Sequence, residues 1–170
     1  LTAMGRPFEV VGRSEESAAR FEALTGIPVR RGGITTALAG SGPPDQAIVA
    51  VGIDQLAMAT SALVFGGTRR VLVEKPAGID SAEIRALGRT VEDVGAEVSV
   101  AYNRRYYSSV AAMRKMIEQD GGITSCVFEI TEYSDTIVAL DIPSTVKESW
   151  FLANTSHVVD LVISVCGPPD

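Results

Sequence analysis

Val71-Leu72-Val73-Glu74-Lys75-Pro76 is the most informative stretch for the fold, because an apolar run ends abruptly at two charged residues and a proline. A short, continuous apolar run is typical of a parallel strand that is covered on both faces. Further strands are predicted at 8–11, 47–51 and 98–101, with helical patterns between them. This β-α-β-α-β-α-β order predicts an α/β fold with a Rossmann-type, doubly wound parallel sheet.

Local signals also place the helices of this half. Ser14 is an N-cap residue in front of apolar positions with helical spacing, and the helix is expected to end at Gly26. Asp80 and Glu83 form a capping box before a strongly amphipathic segment. Two shorter helices are predicted over residues 32–38 and 56–65.

The pattern changes after Tyr102. We expect an amphipathic helix over residues 108–119, a long strand over 123–133 and a loop over 134–150. A last helix begins at a cap residue, Asn154 or Thr155. We therefore predict two units: residues 1–102 form most of a parallel-sheet domain, and residues 103–170 begin an α+β domain.

Composition excludes several classes of protein. The chain has 170 residues and a formal net charge of −6, with no basic stripe, so we expect no nucleic-acid partner. With no signal peptide and no long apolar stretch, we expect no membrane contact and a cytoplasmic location. Cys126 and Cys166 are too few for a disulfide framework and indicate a reducing compartment. His157 is the single histidine, so no zinc site with several histidine ligands can form, and we expect no metal.

Lys75 is the first candidate catalytic residue, because it follows a predicted strand at the sheet edge where ligands gather in open α/β folds. A lysine whose pKa is lowered by burial can polarise or protonate an oxygen. The alternative is an ordinary solvated lysine in a turn.

His157 is the second candidate. It falls in the first turn of the predicted last helix, where the helix dipole lowers the pKa of an imidazole and favours the neutral, base-competent form. A purely structural histidine is the alternative.

Asn103-Arg104-Arg105-Tyr106 follows the last predicted parallel strand, at the boundary between the two units. Two arginines in this position suit an anionic substrate or a cofactor phosphate. Salt bridges between the two units would use the same side chains, and both interpretations stay open.

Three ordered blocks resemble the glucose–fructose oxidoreductase / inositol dehydrogenase / rhizopine-catabolism (Gfo/Idh/MocA) family. They are Glu74-Lys75-Pro76, the segment from Tyr102 to Tyr106, and Ser156-His157-Val158-Val159-Asp160-Leu161. The resemblance implies a nicotinamide-dependent oxidoreductase with a Rossmann domain and a second α/β domain whose open sheet often builds oligomers. It also implies that Lys75 is the active-site lysine and that His157 exchanges a proton with the substrate hydroxyl.

The same resemblance suggests the binding residues. The candidate substrate-binding residues are Asn103, Arg104, Arg105, Tyr106 and Asn154. The candidate cofactor-binding residues are Arg13, Ser14, Val51, Gly52, Glu74, Lys75 and Pro76. Because an arginine and a serine stand at the end of the predicted strand 8–11, where an acid would favour NAD, we expect NAD(P) with a slight preference for NADP(H).

The sequence differs from the family pattern at several points. It contains no G-x-G-x-x-G turn, and residues 8–11 match the second Rossmann strand, so we expect the first βα unit to be missing. Since the sequence begins at Leu1 and ends at Asp170, we expect a segment of a longer chain. Ala153 stands where many members carry an aspartate, and residues 51–56 replace the usual Thr-Pro-x-x-x-His.

We therefore expect an NAD(P)-dependent dehydrogenase that acts on the hydroxyl or carbonyl carbon of a polyol, a sugar or a sugar nucleotide, and that forms a homodimer or homotetramer. A catalytically weak or inactive relative that binds nucleotide or sugar in a regulatory role remains an alternative, supported by Ala153. An unrelated doubly wound domain, such as a sugar-nucleotide-binding or transferase module, is the third possibility.

Overall fold

The computed structural model describes residues 1–168, which form eight α-helices and five short strands. In the first part of the chain they are β1 (Val10–Val11), α1 (Glu15–Thr25), β2 (Val29–Arg30), α2 (Gly33–Ser41), β3 (Gln46–Val49), α3 (Leu56–Gly66), β4 (Arg70–Val73), α4 (Ser81–Val94) and β5 (Glu97–Val100). The second part contains α5 (Ser108–Gln119), α6 (Ser134–Val138), α7 (Ser144–Glu148) and α8 (Ser156–Cys166). Short 3₁₀ helices cover Thr2–Met4, Ile53–Gln55 and Asn103–Tyr106, and a π-helical turn covers Phe151–Thr155.

All strand pairs are parallel, which confirms the predicted α/β class. Strand β4 lies in the middle of a three-stranded sheet, where Val71 is opposite Ala47 of β3 and Val98 of β5. Strands β1 and β2 form a separate two-stranded sheet. In the Rossmann order 3-2-1-4-5-6 the first strand lies between the second and the fourth. The described residues supply no strand for that position, between β1 and β3.

Two strand predictions in this half need correction. Strand β1 is shorter than expected and begins only at Val10, and β2 was not predicted, because two residues are too few for a periodic signal.

Strands β3 and β4 were expected to be covered on both faces, but they are covered on one face only. Helices α3 and α4 pack over Val49, Val71 and Val73, while Ile48 is 57% exposed and Leu72 is 41% exposed.

The helix starts follow the predicted caps. The Asp80 carboxylate accepts hydrogen bonds from the backbone N–H groups of Ala82 and Glu83, at 2.7 and 2.8 Å. Glu83 in turn accepts from the N–H of Ile79 at 3.0 Å, one residue earlier than a standard capping box. Ser14 likewise caps α1 by accepting from the N–H of Ser17.

The second half differs most from the prediction. Residues 123–133 do not form a strand, and Val127 is 97% exposed. A strand must place its backbone groups on a neighbouring strand, and none of the described residues after β5 provides one. Helices α6 and α7 lie where a loop was expected.

The last helix begins at the predicted position but without a side-chain cap. Thr155 stands at the N-cap position of α8 and makes no capping hydrogen bond, because the π-helical turn Phe151–Thr155 runs directly into the helix. Cys126 and Cys166 are both free thiols. A hydrogen bond to Cys126 raises the pKa of the Cys166 thiol.

In the described part of the chain, no helix combines the length and the apolar character needed to cross a bilayer.

Candidate active site at the carboxyl end of strand β4

The turn after β4 fixes the backbone of Lys75. The Glu74 N–H donates to the Val49 carbonyl at 2.9 Å, which continues the β3–β4 ladder, and the Ala77 N–H closes the turn on the Glu74 carbonyl at 3.0 Å. Pro76 is buried and follows a cis peptide bond, and Ala77 has a positive φ of 76°. The two backbone hydrogen bonds hold Lys75 next to the carboxyl end of β4.

Lys75 reaches a residue that is 78 positions away in sequence. Its Nζ donates to the Ala153 carbonyl oxygen at 2.5 Å. Ala153 is 3% exposed and lies in the π-helical turn before α8. The contact joins the sheet half of the chain to the helical segment that carries His157.

His157 lies within electrostatic range of Lys75, in the first turn of α8. The Tyr102 ring packs edge-on against the imidazole, with the ring centroids 5.8 Å apart and the planes at 82°. The His157 Nδ1 atom is buried and has no hydrogen-bond partner among the described residues. A buried ring nitrogen without a hydrogen-bond partner costs free energy in the folded state.

The environment shifts both titratable groups toward their neutral forms. Burial lowers the pKa of Lys75, and Arg104 lowers it further, while Glu74 opposes the shift. Burial also lowers the pKa of His157, helped by the positive charges of Lys75 and Arg104. The lowered direction agrees with the prediction for His157, and burial and nearby cations are its causes.

The predicted substrate-binding residues have different surroundings. Arg104 is half-buried and acts electrostatically on both Lys75 and His157. Arg105 forms a bidentate ion pair with Asp160 of α8, whose side chain is 11% exposed. Asn103 is exposed and Tyr106 is 85% exposed.

Asn154 lies in the π-helical turn, and its Nδ2 donates to Glu132 at 3.0 Å. The structure thus brings Arg104 close to the Lys75–His157 pair and engages Arg105 and Asn154 in contacts with other protein groups. Whether these residues bind substrate stays a prediction.

The predicted cofactor-binding residues lie at the carboxyl ends of β1, β3 and β4. Arg13 is exposed after β1 and donates to the Gln55 side chain at 3.2 Å, while the Ser14 hydroxyl oxygen caps α1. Val51 and Gly52 are exposed after β3, and Glu74 is exposed after β4. These residues follow the carboxyl ends of strands in two separate parallel sheets, and their role stays a prediction.

Two features of the site had no clear signal in the sequence. The Ala153 carbonyl is a backbone group, and the Glu132 carboxylate lies in a segment predicted as a strand. Tyr102 could have been suspected from its position directly after β5. Among residues 1–168, no three His, Cys, Asp or Glu side chains gather as metal ligands.

The described chain superposes on solved structures of dehydrogenases. A candidate myo-inositol dehydrogenase from Sinorhizobium meliloti matches with a TM-score of 0.70 at 23% identity, over 96% of this chain and 48% of that one. The WlbA dehydrogenase from Bordetella pertussis, solved with NADH and UDP-GlcNAcA, matches with a TM-score of 0.70 at 21% identity, over 94% of this chain and 50% of that one. A candidate NADPH-dependent oxidoreductase from Desulfitobacterium hafniense reaches a TM-score of 0.72 at 15% identity, over 96% and 48%.

The chain has the fold of these dehydrogenases. It spans about half the length of the solved structures it matches. The partial Rossmann fold implied by the resemblance is therefore confirmed. No family model and no curated protein matches the sequence.

Proposed function

We propose that this chain is part of a nicotinamide-dependent oxidoreductase that acts on a hydroxyl or carbonyl carbon of a polyol, a sugar or a sugar nucleotide. The observation that carries the proposal is the hydrogen bond from Lys75, after β4, to the Ala153 carbonyl, which brings the segment that carries His157 within electrostatic range of Lys75. Two groups with lowered pKa values at this edge of a parallel sheet are typical of a catalytic site.

In this proposal His157 handles the proton. An alcohol must lose its hydroxyl proton when its C–H bond is converted to a carbonyl, so a neutral base within reach is required. The lowered pKa keeps the imidazole neutral near pH 7. Its Nδ1 makes no hydrogen bond with the described residues, so no protein contact fixes which ring nitrogen carries the proton.

Lys75 orients and polarises the substrate oxygen. Its ammonium group already donates to the Ala153 carbonyl, which leaves its remaining N–H groups for a substrate oxygen. The lowered pKa also reduces the free energy needed to share or transfer a proton.

The residues present fit the two ends of a dinucleotide. The Arg13 guanidinium is exposed after β1, where an adenosine 2′-phosphate is recognised in Rossmann folds, and Lys75 stands after β4 at the reactive end. The nicotinamide ring, when bound, accepts or supplies the hydride. WlbA was solved with NADH, and the Desulfitobacterium protein is described as NADPH-dependent, which supports NAD(P) as the cofactor; Arg13 supports a slight preference for NADP(H).

A second candidate function is regulatory binding of nucleotide or sugar without turnover. It is favoured by Ala153, because a methyl group stands where an acid could relay a proton. In that case the Lys75 contact to Ala153 would be structural. Measuring both cofactor binding and hydride transfer in the same protein distinguishes the two functions.

The experiment uses the full-length protein that contains this sequence. NADPH and NADH binding is measured by fluorescence, and hydride transfer is followed at the absorbance of the reduced cofactor with polyols, sugars and UDP-sugars. We expect Lys75→Met and His157→Asn each to lower kcat by about 100-fold or more. Lys115→Met, an exposed lysine on α5, is the matched control and should keep full activity.

Cofactor binding without turnover of any substrate would favour the regulatory function. Undiminished activity in both Lys75→Met and His157→Asn would overturn the proposed catalytic roles.

A further inference from the structure

We propose that Glu132 is a positioning residue, which fixes the π-helical turn Phe151–Thr155 and, through it, the Ala153 carbonyl and His157. This inference deepens the proposed function and rests on it. Glu132 touches neither Lys75 nor His157, so it acts through the turn that carries their contacts.

One carboxylate receives three side-chain hydrogen bonds from this segment. Glu132 Oε1 accepts from Thr155 Oγ1 at 2.6 Å and from Asn154 Nδ2 at 3.0 Å. Its Oε2 accepts from the Trp150 indole Nε1 at 2.9 Å. The donors stand directly before the turn and at its end, so the carboxylate spans the turn that contains Ala153.

The turn needs an external anchor because its own geometry is unfavourable. The Ser156 N–H donates to the Phe151 carbonyl, five residues back, and such π-helical turns are rare and occur mostly at functional sites. Ala153 and Thr155 are 3% and 2% exposed, so the turn is packed where it meets Lys75. Without Glu132, the buried Thr155 hydroxyl would lose its partner.

The effect of Glu132 is one of geometry rather than of charge at the site. The charged groups that shift the pKa of His157 are Lys75, Arg104, Glu74 and Asp160, and Glu132 is not among them. The three donors lower the pKa of the Glu132 carboxyl, so it stays ionised and acts only as an acceptor. Removing it should therefore disturb His157 by moving the turn.

Two NMR signals report on this directly, the Trp150 indole N–H and the His157 ring protons, which are assigned by their loss in Trp150→Phe and His157→Asn. In Glu132→Ala, we expect the indole N–H proton of Trp150 to shift upfield and the pKa of His157 to move toward its ordinary value. Glu132→Gln keeps one acceptor oxygen, so it should restore the His157 titration in large part while the Trp150 contact stays lost. Glu129→Ala is the matched control, since Glu129 accepts only from Thr131 at 3.4 Å.

Kinetics supply a second readout on any substrate that the wild-type protein turns over. We expect Glu132→Ala to lower kcat by about 10- to 100-fold, as for a displacement of about 1 Å at a catalytic group. The KM for NADPH should stay within about twofold, since the sheet edge is untouched. Thr155→Val and Trp150→Phe each remove one donor to Glu132, and they replace Glu132→Ala as the test if that variant does not fold. Each should move the pKa of His157 toward its ordinary value.

Unchanged His157 titration in Glu132→Ala, or in both donor variants, would overturn the positioning role. This result is separate from the proposed function, because the NMR titration needs no cofactor or substrate. An inactive wild-type protein whose His157 signal still responds to Glu132→Ala would overturn only the catalytic proposal.

Discussion

His157 combines three properties that a surface histidine lacks. Its Nδ1 atom is buried without a partner, its ring packs edge-on against Tyr102, and Lys75 and Arg104 place positive charge nearby. Burial and the two nearby positive charges disfavour the imidazolium form. The unfolded chain therefore takes up its proton at higher pH than the folded chain, so the contribution of His157 to stability is present above pH ~6.5 and is lost as the pH falls through its lowered pKa.

Neutralising Lys75 should change this titration. In Lys75→Met the pKa of His157 should rise, because the second-largest cause of its lowering is removed while burial remains. The measurement is the pH titration of the histidine ring protons by NMR. Lys115→Met should leave the titration unchanged, and a histidine pKa that does not respond to Lys75→Met would contradict the electrostatic coupling.

At the scale of single elements, α4 shows how local sequence sets a boundary. Asp80 accepts hydrogen bonds from two backbone N–H groups of the first turn, and Glu83 accepts one from the N–H of Ile79, just before the cap. Together these bonds fix the helix start within one residue. Leu87 in the same helix packs into the core beside Val71 and Val73. The cap therefore helps to hold the helix that covers the inner face of the sheet.

Asp80→Ala should destabilise the fold by about 1 kcal/mol, within the range measured for N-cap removal. The measurement is the free energy of unfolding in urea. Asp80→Asn should keep most of the stability, because an asparagine oxygen also caps. Equal losses of unfolding free energy in the two variants would show that the negative charge of Asp80, rather than its capping hydrogen bonds, stabilises the helix.

At the scale of the whole molecule, long-range contacts join the parallel sheet to the last helix. Lys75 contacts Ala153, and Arg105, in the 3₁₀ helix after β5, pairs with Asp160 on α8. The Arg105 side chain is 43% exposed and that of Asp160 is 11% exposed, so water screens the pair only in part. These contacts join α8, which carries His157, and the turn before it to residues that follow β4 and β5.

A double-mutant cycle on Arg105→Ala and Asp160→Ala should give a coupling free energy of about 1 kcal/mol, at the upper end for exposed pairs. The free energies of unfolding in urea provide the measurement. The pair formed by Arg30 and Glu9, 3.4 Å apart, is the control and should couple by only about 0.2 kcal/mol. If the coupling free energy of Arg105 and Asp160 is no larger than that of the control pair, this ion pair does not hold α8 in place.

Much of the fold could be predicted because its signals are local. Periodic apolar spacing and cap residues depend only on neighbours along the chain, so α1, α4 and α5 lie close to their predicted bounds. The strand expected over residues 123–133 was wrong for the opposite reason. A strand depends on a partner strand, and the described residues after β5 supply none.

The candidate site likewise has features that local sequence predicts and contacts that only the tertiary structure sets. The sequence by itself determined that Lys75 follows a parallel strand and that His157 begins the last helix, since both positions follow from local pattern. The tertiary structure alone decided that Lys75 meets Ala153, that Arg105 pairs with Asp160 and that Glu132 anchors the π-helical turn. These contacts join residues 78, 55 and 23 positions apart, and such pairings are fixed only when the whole chain packs.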